Sequence, residues 1–132
     1  MPTELPEVSL GIDVGGTNIK WVSLDRTTVR LGSGTMATPT ADEASVVDVL
    51  EQIVTAVRQR FEVCSLGIAV PGHVDRLTQQ TMIIPNVAGH WDGFPLGDEV
   101  QSRTGLPPEL LNDARAFAMA ELTIGSAMGL SG

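Results

Sequence analysis

A short glycine turn near the amino terminus carries residues that could hold a phosphate and a metal ion. The segment Asp13-Val14-Gly15-Gly16-Thr17 lies between two runs that alternate like β-strands. Two glycines allow positive φ angles and let a ligand approach the backbone closely. The N–H groups of Gly16 and Thr17 could then bind a phosphate, and Asp13 could reach a magnesium ion or its water shell. A hairpin that needs glycine only for its geometry explains the same residues equally well.

Two further groups of polar residues follow predicted strands. Asn112 and Asp113 stand between a short strand and a helix, at the end of the sheet where ligands of open α/β proteins bind. Asp113 could instead cap that helix. Gly72 and Asn86 belong to a long loop after a central strand, and an asparagine amide can both donate to and accept from sugar hydroxyls. Turn formation is the alternative role for Gly72 and Asn86.

Several other binding patterns are absent or weak in this sequence. No Gly-x-x-x-x-Gly-Lys-Ser/Thr pattern of a P-loop occurs. Residues 32–37 match the dinucleotide-binding pattern formally, but they resemble a strand and no helix opens there. His73 and His90 have no partners at metal-ligand spacing. Cys64 is the only cysteine, which excludes an internal disulfide and a zinc site built from cysteines, and we predict a buried, inert thiol.

Alternating and helical patterns predict the elements that would position these residues. Three strands with short connections predict an antiparallel meander, and a later strand that follows a long helix is expected to join the sheet in parallel. Thr40 and Glu43 predict a capping box at the start of that helix. The predicted order is β-β-β-α-β-(α)-β-α, with strands at 8–14, 18–24, 28–37, 63–70 and 108–112, helices at 42–60, 96–104 and 113–125, and a loop at 71–95.

Composition and charge limit the classes of partner. A chain of 132 residues fits one domain, 1–132, and 42% hydrophobic residues suit an ordinary globular core. The net charge of −8 disfavours nucleic acid and anionic membrane surfaces as partners. The first seven residues lack the basic and apolar regions of a signal peptide, and no apolar run could span a bilayer, so we expect a cytoplasmic protein.

Together and in this order, four segments resemble the ROK family of sugar kinases. They are residues 10–17 (LGIDVGGT), 67–75 (GIAVPGHVD), 85–96 with Pro85-Asn86 and Trp91-Asp-Gly-Phe-Pro-Leu96, and 111–114 (LNDA). That family includes bacterial glucokinases, fructokinases, allokinases and kinases of N-acetylglucosamine and N-acetylmannosamine. The resemblance implies an α/β fold, a ribonuclease-H-like lobe with a mixed sheet of the actin-like ATPase superfamily.

The resemblance also implies an activity, which is ATP- and magnesium-dependent phosphorylation of a hexose, with glucose the first choice. It implies that Asp113 is the catalytic base. The implied ligand contacts are those of Asp13, Gly15, Gly16 and Thr17 with magnesium and the ATP phosphates, and of Gly72, Asn86, Asn112 and Asp113 with the sugar. Polyphosphate is an alternative donor. A non-catalytic sugar-binding or pseudo-kinase module, and the effector-binding part of a repressor, are the alternative functions.

The sequence departs from the family pattern at two helix positions and in extent. Arg115 stands where the family usually has asparagine, and Ala120 where it has glycine. Members continue with a second phosphate loop, an adenosine-binding region, further sugar ligands and often a zinc site, none of which this chain contains. We therefore expect an N-terminal lobe without its C-terminal lobe, inactive alone, that forms a homodimer or requires the missing lobe.

Overall fold

The structure is a computed structural model that describes residues 5–71, 73–75, 77–83, 87 and 89–112. These residues form seven strands and two helices. The strands are β1 (Glu7–Val14), β2 (Asn18–Leu24), β3 (Arg30–Ala37), β4 (Glu62–Val70), β5 (His73–Asp75), β6 (Gln80–Ile83) and β7 (Pro108–Asn112). The helices are α1 (Glu43–Arg58) and α2 (Leu96–Thr104). The predicted helix at 113–125 lies outside the described residues.

Five of these strands form one mixed sheet in the order β3-β2-β1-β4-β7. The first three strands pair antiparallel through short connections, whereas β4 pairs parallel with β1 and β7 pairs parallel with β4. Parallel pairing requires a crossover, and α1 and α2 lie in the two crossover segments. The predicted meander and the parallel entry of the fourth strand are confirmed.

The two faces of the sheet differ in chemistry because side chains alternate along a strand. On one face, which we call the helix face, Val8, Leu10, Ile12 and Val14 of β1 are at most 2% exposed and belong to the same core cluster as the apolar stripe of α1. Ser9, Gly11 and Asp13 alternate onto the other face, which we call the opposite face. The magnesium-binding candidate Asp13 therefore lies on the side of β1 away from α1.

Helix α1 buries its predicted apolar stripe, but the capping prediction is wrong. Asp42, not Thr40, is the N-cap, with extended backbone and a carboxylate that accepts hydrogen bonds from Ser45 N at 2.9 Å and Ser45 Oγ at 2.7 Å. The Glu43 carboxylate accepts from the main-chain N–H of His90 at 3.0 Å, so it does not complete a capping box. The stripe comprises Val46, Val47, Leu50, Ile53, Val54 and Val57.

The region predicted as one long loop contains a β-hairpin. Strands β5 and β6 pair antiparallel, and the Asp75 carboxylate accepts from the N–H groups of Leu77 and Thr78 in the turn between them. These bonds, that of Thr78 first, lower the pKa of Asp75. Thr81 ties the hairpin to the following segment, because its N–H donates to Phe94 O at 3.0 Å. The observed order therefore has two more strands than the predicted order.

The remaining elements agree with prediction except at Cys64. Helix α2 ends at Gly105, whose φ of +77° lies in the left-handed region, as expected for a C-cap glycine. Cys64 is exposed, not buried. In the pairing of β4 with β1, Val63 and Ser65 face consecutive residues of β1, so Cys64 is the extra residue of a β-bulge and turns outward. Neither helix in the described ranges is long and apolar enough to cross a membrane.

Candidate functional site

The segment 13–17, which we call the phosphate turn, closes the hairpin between β1 and β2. Gly15 N donates to Asn18 O at 2.9 Å. The predicted positive φ angles are wrong for both Gly15 and Gly16, neither of which lies in the left-handed region. Glycine is required at position 15 because a Cβ there would lie 2.8 Å from Asn18 O. Gly16 and Thr17 are exposed and Asp13 is half-buried. Within the described residues the N–H groups of Gly16 and Thr17 donate no hydrogen bond, which leaves them available to an anion.

A buried threonine that sequence reasoning missed braces this turn. Thr38, 7% exposed, follows β3 directly; its hydroxyl donates to Gly15 O at 2.7 Å and its N–H donates to Thr17 O at 2.9 Å. The antiparallel register pairs Asn18 with Ala37, so the next residue, Thr38, is placed beside Thr17. A polar residue immediately after the third meander strand was the available signal. Thr38 fixes the carbonyls on both sides of Gly16 and thereby orients the exposed N–H groups.

The sheet brings the phosphate turn to the same edge as the second group of candidate residues. In the parallel register Asp13 pairs with Ala69, Ala69 pairs with Leu111, and Val70 pairs with Asn112. Two inter-strand spacings of about 4.8 Å separate the main chains of β1 and β7, or about 10 Å. The carboxyl ends of the three parallel strands therefore lie side by side, which is where ligands of open α/β sheets bind.

The structure describes few of the other candidate residues. Gly72, Asn86 and Asp113 lie outside the described residues, and for Asn112 only the main chain, at the end of β7, is described. No group of three or more His, Cys, Asp or Glu side chains that could hold a metal occurs within the described residues. A single carboxylate, Asp13, remains as the candidate for magnesium, which proteins often bind through one carboxylate together with substrate phosphates.

A carboxylate and an ammonium group lie opposite each other on neighbouring strands at this edge. Asp13 and Lys20 are partners in the antiparallel register of β1 and β2, so their side chains project from the same, opposite face. Lys20 is exposed and is the only lysine of the chain. The edge thus offers exposed N–H groups, one carboxylate and one ammonium group within a few residues, which is chemistry suited to a phosphate with a divalent cation.

The amino-acid sequence of this chain is similar to those of known sugar kinases. The chain is 34% identical over 122 residues to the glucokinase of Streptomyces coelicolor, and this alignment covers 92% of this chain and 38% of that enzyme. It is 30% identical over 114 residues to the N-acetyl-D-glucosamine kinase of Vibrio cholerae, covering 84% of this chain and 36% of that enzyme. The chain therefore spans under two fifths of the length of these relatives.

Solved structures show the same fold. A ROK family glucokinase from Streptomyces griseus in complex with glucose and AMPPNP superposes with a TM-score of 0.75 and 32% identity, over 91% of this chain and 38% of that one. An inorganic polyphosphate/ATP-glucomannokinase from Arthrobacter sp. strain KM gives a TM-score of 0.75 and 28% identity, over 96% and 52%. The predicted fold class is confirmed. Because the profile of the ROK family matches residues 9–131, the chain belongs to the ROK family.

Proposed function

We propose that this chain is the N-terminal lobe of a sugar kinase that transfers the terminal phosphoryl group of ATP to a hexose, with glucose the first candidate. The observation that carries the proposal is the common sheet edge, where the phosphate turn and the end of β7 lie about 10 Å apart, two inter-strand spacings. Substrates held at these two positions could extend toward each other, so that the γ-phosphorus and the acceptor oxygen approach to the about 3–3.5 Å that reaction requires. Two comparisons support this assignment: the 34% sequence identity to the Streptomyces coelicolor glucokinase, and the similarity to the solved structure of a glucokinase in complex with glucose and AMPPNP.

The phosphate turn supplies the donor half of the site. The exposed N–H groups of Gly16 and Thr17, with the Thr17 hydroxyl, would bind phosphate oxygens, and Thr38 would hold them in place through the turn carbonyls. Asp13 fits a magnesium ion as its single carboxylate ligand, directly or through water. When bound, magnesium would neutralise part of the phosphate charge.

The acceptor half rests on the family resemblance. Asn112 and Asn86 would hydrogen-bond the sugar hydroxyls, and the backbone around Gly72 would line the pocket. Asp113, the next residue after Asn112, would accept the proton of the attacking hydroxyl as its oxygen bonds to the γ-phosphorus. The bond between the γ-phosphorus and the bridging oxygen breaks, and ADP leaves with that oxygen. The rest of the rate enhancement would come from positioning and charge neutralisation.

A coupled phosphorylation assay tests this function in the enzyme that carries this chain together with its second lobe. With ATP, magnesium and a panel of hexoses, we expect turnover that falls about 10²- to 10⁴-fold in Asp113→Asn, as for loss of a general base. Asp98→Asn changes an exposed carboxylate on α2 and serves as the matched control. Full activity of Asp113→Asn would refute the assigned base. Sugar binding by calorimetry without turnover on any sugar would instead favour the non-catalytic binding module.

A further inference from the structure

The side chain of Gln79 joins the hairpin β5–β6 to the edge of the five-stranded sheet. Its Oε1 accepts a hydrogen bond from the N–H of Leu110 at 3.0 Å. Leu110 belongs to β7, the last strand of the sheet, and no strand in the described ranges pairs with the edge of β7 away from β4. The amide oxygen of Gln79 therefore takes the place of a carbonyl on a further strand, and it satisfies a main-chain donor at an open sheet edge.

The main chain of Gln79 supports the start of α2. The Gln79 carbonyl accepts a hydrogen bond from the N–H of Gly97, the second residue of the helix, at 3.0 Å. The first N–H groups of a helix lack partners within it, and the N-cap residue here is Pro95, whose side chain has no acceptor. The approach is close because residue 97 is glycine: a Cβ there would lie 2.6 Å from Cβ of Gln79.

Gln79 keeps a backbone conformation that residues with side chains disfavour. Its φ is +56°, and among the described residues Thr28 is the only other non-glycine residue with a positive φ. Such a conformation costs free energy and persists where the surrounding contacts determine it. Glycine would follow the same main-chain path without this cost and could still accept from Gly97. What glutamine adds at this position is therefore the side-chain contact with β7.

The two partners in this contact belong to different parts of the proposed acceptor half. Hairpin β5–β6 begins directly after Gly72 and ends three residues before Asn86. On the other side, Leu110 lies two residues before Asn112 and three before Asp113. One hydrogen bond thus connects the hairpin that lies between two of the sugar-binding candidates with the strand that leads to the third candidate and to the candidate base.

We propose that Gln79 is a positioning residue, which couples the hairpin β5–β6 to β7 and thereby fixes the two parts of the acceptor half relative to each other. The inference rests on the proposed function, because the residues that are positioned are those assigned to the sugar. Gln79 acts through the main chains of Leu110 and Gly97. Loss of its amide oxygen should raise KM for the sugar and lower kcat, whereas the donor half, which Thr38 braces on other strands, should keep its KM for ATP.

Steady-state kinetics of the two-lobe enzyme would measure this effect. Gln79→Met keeps the length of the side chain and removes its oxygen. We expect this variant to lower kcat/KM for the sugar about tenfold, less than the about 10²-fold that a 1 Å displacement can cost, and to leave KM for ATP unchanged. Gln79→Glu keeps an oxygen at the same reach and should retain most of the activity. Gln101→Met changes an exposed glutamine on α2 and is the matched control.

Hydrogen exchange at the N–H of Leu110 reports on the contact directly, without sugar or ATP. Mass spectrometry with electron-transfer fragmentation would compare Leu110 with Ile68, its fully buried partner on β4. In Gln79→Met we expect exchange at Leu110 to be about 2- to 10-fold faster, the range for loss of one net hydrogen bond, with exchange at Ile68 unchanged. Gln79→Glu should keep both rates. Kinetic assays well below the melting temperature of each variant would exclude unfolding as the cause of lost activity.

Each result supports or refutes the coupling. Faster exchange at Leu110 in Gln79→Met with unchanged kcat/KM would show that the hydrogen bond positions nothing, and would refute the proposal. An equal rise in exchange at Leu110 and Ile68 would indicate general destabilisation and would also refute it, as would equal losses of activity in Gln79→Met and Gln79→Glu.

The same variants separate this proposal from the proposed function. If the wild-type enzyme binds a hexose but phosphorylates none, the kinase function fails and calorimetric sugar affinity becomes the readout. Weaker sugar binding in Gln79→Met than in wild type would then uphold the coupling, and equal binding would refute it. A wild-type enzyme that binds no hexose would overturn both proposals.

Discussion

The phosphate turn is held by one side-chain hydrogen bond that a single substitution can remove. The Thr38 hydroxyl donates to Gly15 O at 2.7 Å, while the Thr38 N–H donates to Thr17 O at 2.9 Å. Thr38→Val replaces the hydroxyl by a methyl group of similar size and keeps the β-branched shape and the main-chain bond. The substitution therefore tests the hydroxyl alone.

The expected loss of stability follows from the surroundings of the two atoms. A net intramolecular hydrogen bond contributes about 0.5–1.5 kcal/mol, and a buried acceptor left without a donor costs about 1–3 kcal/mol. Thr38 is only 7% exposed, but Gly15 is half-buried, so water can reach part of its carbonyl. We expect Thr38→Val to lower the free energy of unfolding by about 1–2 kcal/mol, and the Tm by about 3–8 °C for a chain of this length.

Urea denaturation of three variants would measure this loss. Thr38→Ser keeps the hydroxyl and should retain most of the stability, and Thr40→Val changes an exposed threonine nearby and serves as the control. We also expect Thr38→Val to weaken binding of ATP, because the N–H groups of the turn lose their orientation. Unchanged stability in Thr38→Val, or an equal loss in Thr38→Ser, would show that the hydroxyl does not brace the turn.

Three further expectations concern other parts of the chain. Gly34→Ala should destabilise the protein by about 1–3 kcal/mol in urea denaturation, because the new Cβ would lie 2.5 Å from Nε1 of Trp21. Hydrogen bonds from the hydroxyl of Ser45 and, second, from its N–H lower the pKa of Asp42 in the folded protein. The charged cap therefore stabilises the fold fully at pH values above the ordinary aspartate pKa of about 3.9, and this stabilisation is lost as the pH falls through the lowered pKa of the folded state. Asp42→Asn keeps an acceptor without the titration, so melts from pH 7 to 2 should show a smaller pH dependence in this variant than in wild type. Partial burial and nearby carboxylates raise the pKa of the Cys64 thiol, so its alkylation rate should still be rising at a pH where a model thiol has reached its plateau.

Local patterns were sufficient to predict most of the sheet and both described helices. The apolar stripe of α1 repeats at helical spacing, and the strands of the meander are separated by short polar turns, so each element can be recognised within its own segment. The capping prediction was wrong because two acceptors, Thr40 and Asp42, lie two residues apart. The choice between them depended on Glu43, whose carboxylate bonds to His90 far along the chain.

Features that depend on distant pairing could not be predicted from local sequence. The bulge that exposes Cys64 exists only in the register between β4 and β1. The hairpin β5–β6 has short strands, and Thr81 joins it to a segment ten residues or more away. The brace at Thr38 likewise arises only when β3 pairs with β2. In each case the local sequence has no pattern that predicts the feature, because the feature forms only when the segment pairs with another segment of the chain.

The hydrophobic pattern of the sheet also determines where the chemistry lies. Leu10 and Ile12 of β1 are fully buried on the helix face, which holds the alternate residue Asp13 on the opposite face. A slip of β1 by one residue would move Asp13 toward the core on the helix face and take Leu10 and Ile12 out of that core, at a cost of several kcal/mol. The same alternation places Lys20 beside Asp13. The register that packs the core therefore also positions the carboxylate and the ammonium group that would meet the phosphates.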